Sequence, residues 1–244
     1  MGRWADQKIS VLMPAYNSEK TIGIAARSAL RAINSSSELL VYLDSCTDNT
    51  ERVLREISDS RLRILVGTEQ LGPGLAMTIL CDNAKYEMLG RLDADDIALP
   101  WRFWFQARAM NRHESDFEFT NIISFGSDLK FGFRYNFLRK KLSPEMSQRA
   151  MLESNPFVHS TALMRASAVK ELGGYRKTTA EDYDLWLRAA ISGYKVCRSR
   201  VVSVLYRIHA SQISRSKDWL FAIAHDYTLK NLYIELQRKL DTEK

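Results

Sequence analysis

The chain has 244 residues, 45% hydrophobic and 26% charged, which suits one large α/β domain or two small ones and argues against a largely disordered or low-complexity protein. A formal net charge of +6 suits an anionic partner (a nucleotide, a membrane surface or a nucleic acid) without choosing among them. Cys46, Cys81 and Cys197 lie far apart with no CxxC spacing, against a disulfide framework or zinc site and in keeping with a reducing, cytoplasmic setting. The stretch from Met1 to Lys8 is polar and carries no secretory h-region. No apolar run approaches the roughly 18 residues of a membrane span, so the expected protein is soluble, or peripheral at the inner face of a membrane.

In chain order, Ile9 to Pro14 reads as a buried strand and Ser18 to Ala32 as a helix, with Ile22, Ala25, Ala29 and Ile33 on one face and Ser18 as its cap. Leu39 to Leu43 is a second strand, ending at Asp44, and Thr50 to Ile57 a second helix. Leu62 to Val66 is a third strand. Gly72–Pro73–Gly74 turns into a helix through Leu80, and Met88 to Leu92 is a fourth strand closed by Asp93–Ala94–Asp95–Asp96. Strands alternating with helices at this pitch predict a Rossmann-type, mainly parallel central sheet flanked by helices. In such sheets ligands bind beyond the carboxyl ends of the strands. Tyr16–Asn17, Asp44 and Asp93–Asp95 all fall there.

The second half is less regular. Thr120 to Ser124 and Leu129 to Phe133 read as strands around a turn at Gly126–Ser127–Asp128, and Ala162 to Met164 as a short strand. Ala166 to Leu172 is a helix stopped by Gly173–Gly174, and Asp182 to Ser192 another. Val196 to Leu205 reads as strands, and Lys217 to Leu240 as a C-terminal amphipathic helix suited to packing or to a homodimer. Without a Pro/Gly/Ser linker, 1–244 is expected to be a single domain.

Two acidic groups carry chemistry. Asp93 and Asp95, with one spacer, can face a hard divalent cation, Mn²⁺ or Mg²⁺, which would offset charge on a departing diphosphate; a solvated turn or helix cap is the bland alternative. Glu181–Asp182 opens a helix, where carboxylates also favour the dipole; the same placement suits a base that takes a proton from an acceptor hydroxyl. His159 can line a cleft or serve as a hydrogen-bonded structural histidine. Trp104 and Trp186 can border an acceptor or simply pack. Lys130 to Lys141 interleaves aromatic and basic residues, as one face of a strand or a grip on an anionic membrane or lipid-phosphate acceptor.

Pro14–Ala15–Tyr16–Asn17, Asp44–Ser45–Cys46–Thr47–Asp48, Leu92–Asp93–Ala94–Asp95–Asp96, Gly173–Gly174–Tyr175–Arg176 and Glu181–Asp182–Tyr183–Asp184–Leu185–Trp186 occur in an order that resembles family 2 glycosyltransferases over residues 8 to 215. Tyr206–Arg207–Ile208–His209 resembles the family's C-terminal element. The resemblance implies a GT-A-like fold and an inverting, metal-dependent transfer of a sugar from a nucleotide-diphosphate donor, UDP favoured, to an unnamed acceptor (glycan, lipid-linked or protein). It implies a donor half at about 1–100, an acceptor half at about 101–215 and a helix at about 216–244. Asp182 would be the base with Glu181 beside it. Asp95, Asp93 and His209 would meet the metal. Pro14, Ala15, Tyr16, Asn17 and Glu19 would line the nucleotide sugar, together with Asp44, Arg91, Asp93 and Ala94. Two departures stand out: Leu43 replaces a frequent aspartate, and Ser45 the usual glycine. A Mg²⁺-dependent nucleotidyltransferase remains an alternative, although Ala15 to Glu19 lacks a Gly-rich phosphate loop. A nucleic-acid-binding module has only the net charge in its favour.

Overall fold

The computed structural model describes residues 7–126, 140–209, 212, 222 and 224–242. The first half follows the sequence pattern closely. β1 (Ile9–Ala15), α1 (Ile22–Ala32), β2 (Glu38–Leu43), α2 (Thr50–Arg55), β3 (Leu62–Val66), α3 (Pro73–Asn83) and β4 (Met88–Arg91) alternate strand and helix. After them come β5 (Ile97–Ala98), α4 (Arg102–His113), β6 (Phe117–Phe125), α5 (Pro144–Met151), β7 (Leu163–Arg165), α6 (Ala166–Glu171), α7 (Glu181–Ile191), β8 (Val196–Arg207) and α8 (Tyr227–Thr242).

The strands form one eight-stranded sheet in the order β3-β2-β1-β4-β7-β6-β8-β5. The pairs β3/β2, β2/β1, β1/β4 and β6/β8 are parallel; β4/β7, β6/β7 and β5/β8 are antiparallel. The parallel half is the type of sheet predicted, and the whole is a mixed α/β fold. β2 is buried along its whole length, which is why it reads as an unbroken apolar run rather than an alternating one.

Two apolar layers sandwich the sheet. On one face Ala25 and Ala29 of α1 and Phe103 and Met110 of α4 pack with Val11, Met13 and Val41. On the other, Met77 and Leu80 of α3, Leu185 and Trp186 of α7, and Leu229 and Leu236 of α8 pack with Leu12, Leu40 and Phe119. Gly90 of β4 has no room for a side chain, since a Cβ there would stand 2.4 Å from the Phe103 ring. This close approach lets α4 lie flat behind the strand that ends in the acidic cluster.

Some boundaries differ from expectation. α1 starts at Ile22, and Ser18 does not cap it with its side chain: the Ser18 carbonyl accepts from the Thr21 and Ile22 N–H groups, and its hydroxyl donates to the Tyr16 carbonyl. Val196 to Arg207 is one continuous strand. The strand expected at Leu129 to Phe133 and most of the basic aromatic stretch Lys130 to Lys141 lie outside the described residues, as does the first part of the expected terminal helix. Among the described residues, no helix is long and apolar enough to cross a membrane.

Candidate active site

Backbone hydrogen bonds hold the carboxyl ends of β1, β2 and β4 level: the Asp44 N–H donates to the Ala15 carbonyl at 2.9 Å and the Leu92 N–H to the Leu12 carbonyl at 3.1 Å. The loops beyond β1 and β2 are tied to each other. The Thr47 N–H donates to the Asn17 side chain, the Glu19 N–H to Asp48, and the Asn49 N–H and side-chain amide both donate to Glu19 Oε2. Asn17 (φ +44°) and Ser45 (φ +57°) take left-handed backbone at these turns, and at Ser45 the conformation explains why glycine suits the position. Glu19 thus clamps two loops together. Tyr16 remains 48% exposed at the strand end.

Asp44 is buried, and its two oxygens accept from the Leu71 N–H at 2.7 Å and the Gly72 N–H at 2.9 Å. It fastens the loop that leads into α3 against the end of β2. Any further partner of Asp44 would have to share a carboxylate already bonded on both oxygens.

The segment Asp93–Asp96, just beyond β4, forms the centre of the site. One oxygen from each of Asp93, Asp95 and Asp96 lies within 4.8 Å of the others, so the cluster predicted from Asp93 and Asp95 gains a third carboxylate. Asp96 is fully buried; its Oδ1 accepts from the Arg207 N–H at 2.8 Å, while its Oδ2 has no hydrogen-bond partner. Burial, with the Asp93 and Asp95 charges added, pushes its carboxyl well above the usual range. Asp95 is also pushed up, by burial and then by Asp93, with His209 opposing. Three crowded carboxyls, one with an orphaned buried oxygen, are a setting a hard divalent cation relieves. His209 reaches the edge of this cluster: its Nε2 lies 2.9 Å from Asp95 Oδ2, across 114 positions of chain. Arg207 Nε donates to the Asp95 carbonyl at 2.9 Å, its guanidinium over the Phe125 ring.

Arg91 joins this cluster to the second acidic group. Its guanidinium is buried and ion-paired with Asp93. Its charge also lowers the carboxyl pKa values of both Glu181 and Asp182 at the start of α7. Burial still prevails at Glu181, which is raised to about 7, with Asp182 and Asp93 adding to the rise. Asp182 is raised as well, chiefly by burial, against the Tyr183 N–H (2.7 Å) and the Asn155 amide (3.1 Å) that donate to its two oxygens. The two acidic elements, from β4 and α7, therefore stand in one electrostatic field.

The other candidates divide. His159 is held by Tyr175, with Nε2 2.9 Å from the Tyr175 hydroxyl and the rings stacked, and burial followed by Arg91 drives its pKa well below the ordinary value. It is a neutral, hydrogen-bonded histidine. Trp186 is fully buried, edge-on to Phe117, Phe119 and His159; it is a core side chain, and as the chain stands it offers no surface to an acceptor. Trp104 touches Phe105 and Arg108 of its own helix. Ala94 is buried, and Pro14 pairs with Tyr42 within the sheet.

Several working residues have no role in the sequence pattern. Asp184, fully buried, accepts from Arg176 on one side and Arg188 on the other, and Arg188 Nη2 also donates to the Gly174 carbonyl at 2.7 Å. Its i, i+4 spacing to Arg188 is the signal that marks it. Arg102, fully buried, donates to the Arg91 carbonyl at 2.6 Å and is bonded to Gln106. Ser160 accepts from the Asp93 N–H at 3.1 Å.

A family model described as glycosyl transferase family 2 matches residues 10–173. The chain belongs to this family. It is therefore a glycosyltransferase, and the nucleotidyltransferase and nucleic-acid-binding alternatives fall away. It is 26% identical over 95% of its length to the Escherichia coli UDP-Glc:alpha-D-GlcNAc-diphosphoundecaprenol beta-1,3-glucosyltransferase WfaP, covering 89% of that protein. It is 28% identical to the E. coli enzyme WfgD of the same description, covering 87% of this chain and 81% of that one. Among solved structures, Staphylococcus aureus TarS 1-349 in complex with UDP-GlcNAc superposes with a TM-score of 0.72 at 19% identity, over 89% of this chain and 64% of that chain. The mannosyltransferase PcManGT from Pyrobaculum calidifontis, in complex with GDP-Man and Mn²⁺, gives 0.60 at 18% identity, over 79% and 56%. These likenesses of shape establish the GT-A-like fold.

Proposed function

We propose that the chain transfers a sugar from a UDP-sugar, with inversion at the anomeric carbon and with Mn²⁺ or Mg²⁺, to a hydroxyl of a lipid-diphosphate-linked sugar. The observation that supports the reaction type is the Asp93–Asp95–Asp96 cluster beyond β4 and the Glu181–Asp182 pair at the start of α7, with Arg91, ion-paired to Asp93, acting on both by its charge. The family assigns such groups to glycosyl transfer, and WfaP and WfgD are named for diphosphoundecaprenol-linked sugar acceptors to which a β-linkage is made. A β-linkage formed from an α-linked nucleotide sugar is an inversion.

On this reading Asp95, Asp93 and His209 hold the metal, with Asp96 behind them. Bound there, the cation supplies Lewis-acid relief of the charge left on the diphosphate. Tyr16, Asn17 and the Pro14–Ala15 strand end form the nucleoside side of the crevice, and the first and second halves of the chain act as donor and acceptor halves. Asp182 takes the proton of the acceptor hydroxyl as its oxygen attacks the anomeric carbon and the bond to the diphosphate breaks. Glu181, raised to about 7, changes charge near neutrality and orients the acceptor. The Arg91 charge offsets part of the repulsion between the two groups. A base held in this way supplies about 10²–10⁴-fold in rate.

A thermal-shift panel of UDP-, GDP- and dTDP-glucose, each with and without Mn²⁺, tests donor and metal together. The expected result is the largest stabilisation by the UDP-sugar and only with Mn²⁺. Equal shifts by GDP-glucose, or shifts indifferent to Mn²⁺, would count against the reading.

A further inference from the structure

The segment between α5 and β7 lies across the start of α7 and is itself fastened from below. Asn155 Nδ2 donates to Asp182 Oδ2 at 3.1 Å, while Asn155 Oδ1 accepts from the Phe157 N–H at 3.1 Å. Both ends of this one amide are used, and the second fixes the direction of the first. The next residue is held too: the Pro156 carbonyl accepts from Arg198 Nη1 at 2.7 Å, and Arg198 is a buried residue of β8. The Tyr183 hydroxyl donates to the Met151 carbonyl, closing the other end of the segment on the same helix. A donor this well braced determines which way its acceptor points.

We infer that Asn155 is a positioning residue for Asp182, orienting its carboxylate so that the lone pairs left open face the acceptor hydroxyl. The inference deepens the proposed function and rests on Asp182 as the base. Asn155 donates to Asp182 Oδ2 and the Tyr183 N–H to Oδ1, and the Asp182 N–H also favours its own carboxylate. The carboxylate keeps lone-pair capacity for the substrate, in a plane the Asn155 amide sets. The charged and titratable groups facing this carboxylate are Glu181 on its own helix, Arg91 from β4, and the hydroxyls of Tyr175 and Tyr183. Of these Arg91 alone favours its ionised form, and Asn155 adds a hydrogen bond in the same sense.

The test is the titration of the Asp182 carboxyl, monitored by carbon-13 NMR of the full chain labelled at aspartate carboxyls and assigned with Asp182→Asn. Two variants separate positioning from mere support. Asn155→Ala removes both bonds. Asn155→Asp keeps the acceptor for the Phe157 N–H, and with it the turn, but sets a second carboxylate against Asp182. The Asp182 midpoint is expected to rise by about one pH unit in Asn155→Ala, the loss of one hydrogen bond to a charged group. It should rise at least as far in Asn155→Asp, although that variant melts closer to the wild type. An Asp182 midpoint unmoved in Asn155→Asp, or one that tracks melting temperature instead of the bond to Asp182, overturns the inference. Transfer activity surviving in Asp182→Asn would instead remove the base itself, so the two claims fail by different measurements.

Discussion

At the scale of single residues, the site is governed by carboxylates kept from water and from one another by few compensating groups. Glu181 is the clearest case. Its folded pKa of about 7 lies above the ordinary 4.5, so between those values the folded chain holds a proton that the unfolded chain has released. Stability therefore falls as pH rises through that window. Glu181→Gln removes the titration. The stability of the variant relative to wild type is expected to grow by about 1–2 kcal/mol between pH 4.5 and pH 8, a figure reduced for the partial exposure of the group. Urea unfolding of both proteins in chelator across this range measures it; parallel curves would show that Glu181 titrates as it does in water. The acidic residues are visible in the sequence because three stand in four positions, but their partners are not. His209 meets Asp95 across 114 positions, and Arg91 turns back to Asp93 from the same strand end. Neither pairing leaves a periodicity to read.

At the scale of elements, the start of α7 is placed by the helix's own charged residues. Asp184 sits without exposure between Arg176, in the loop before the helix, and Arg188, one turn on. Arg188 in turn donates to the Leu172 and Gly174 carbonyls, so the Gly173–Gly174 turn is tied to α7. Asp184→Ala leaves Arg188 buried without its carboxylate, and the expected loss of stability is about 3–5 kcal/mol, the range for breaking a buried pair from one side. Chemical denaturation tests it, and a loss under about 1 kcal/mol would mean the two arginines find water or other partners. The strands and helices of the first half are legible because each carries its own period and its own stop. Beyond β4 the elements are less so. β5 is two residues long, too short for any alternation, and α5 is absent from the elements read off the sequence despite a cap written plainly in Ser143–Pro144–Glu145, where Ser143 Oγ accepts from the Met146 N–H.

At the scale of the whole molecule, one sheet performs two tasks. Its parallel half ends in the loops of Asn17, Asp44 and Asp93, while the mixed half carries β8 round so that Arg207 and His209 return to Asp95 and Asp96. A parallel sheet is foreseeable from alternating elements, but the antiparallel β7 between β4 and β6 is not, since strand order depends on packing between segments far apart in sequence. The return of β8 explains how residues more than a hundred positions apart form one candidate metal site. The most direct measurement of that account is calorimetric titration of UDP, with Mn²⁺ present, into the wild type and its Asp95→Ala and Asp182→Asn variants. Binding should weaken by about tenfold or more in Asp95→Ala, a loss of about 1.4 kcal/mol at the least, and stay near the wild-type value in Asp182→Asn. Undiminished binding of UDP by Asp95→Ala would contradict it.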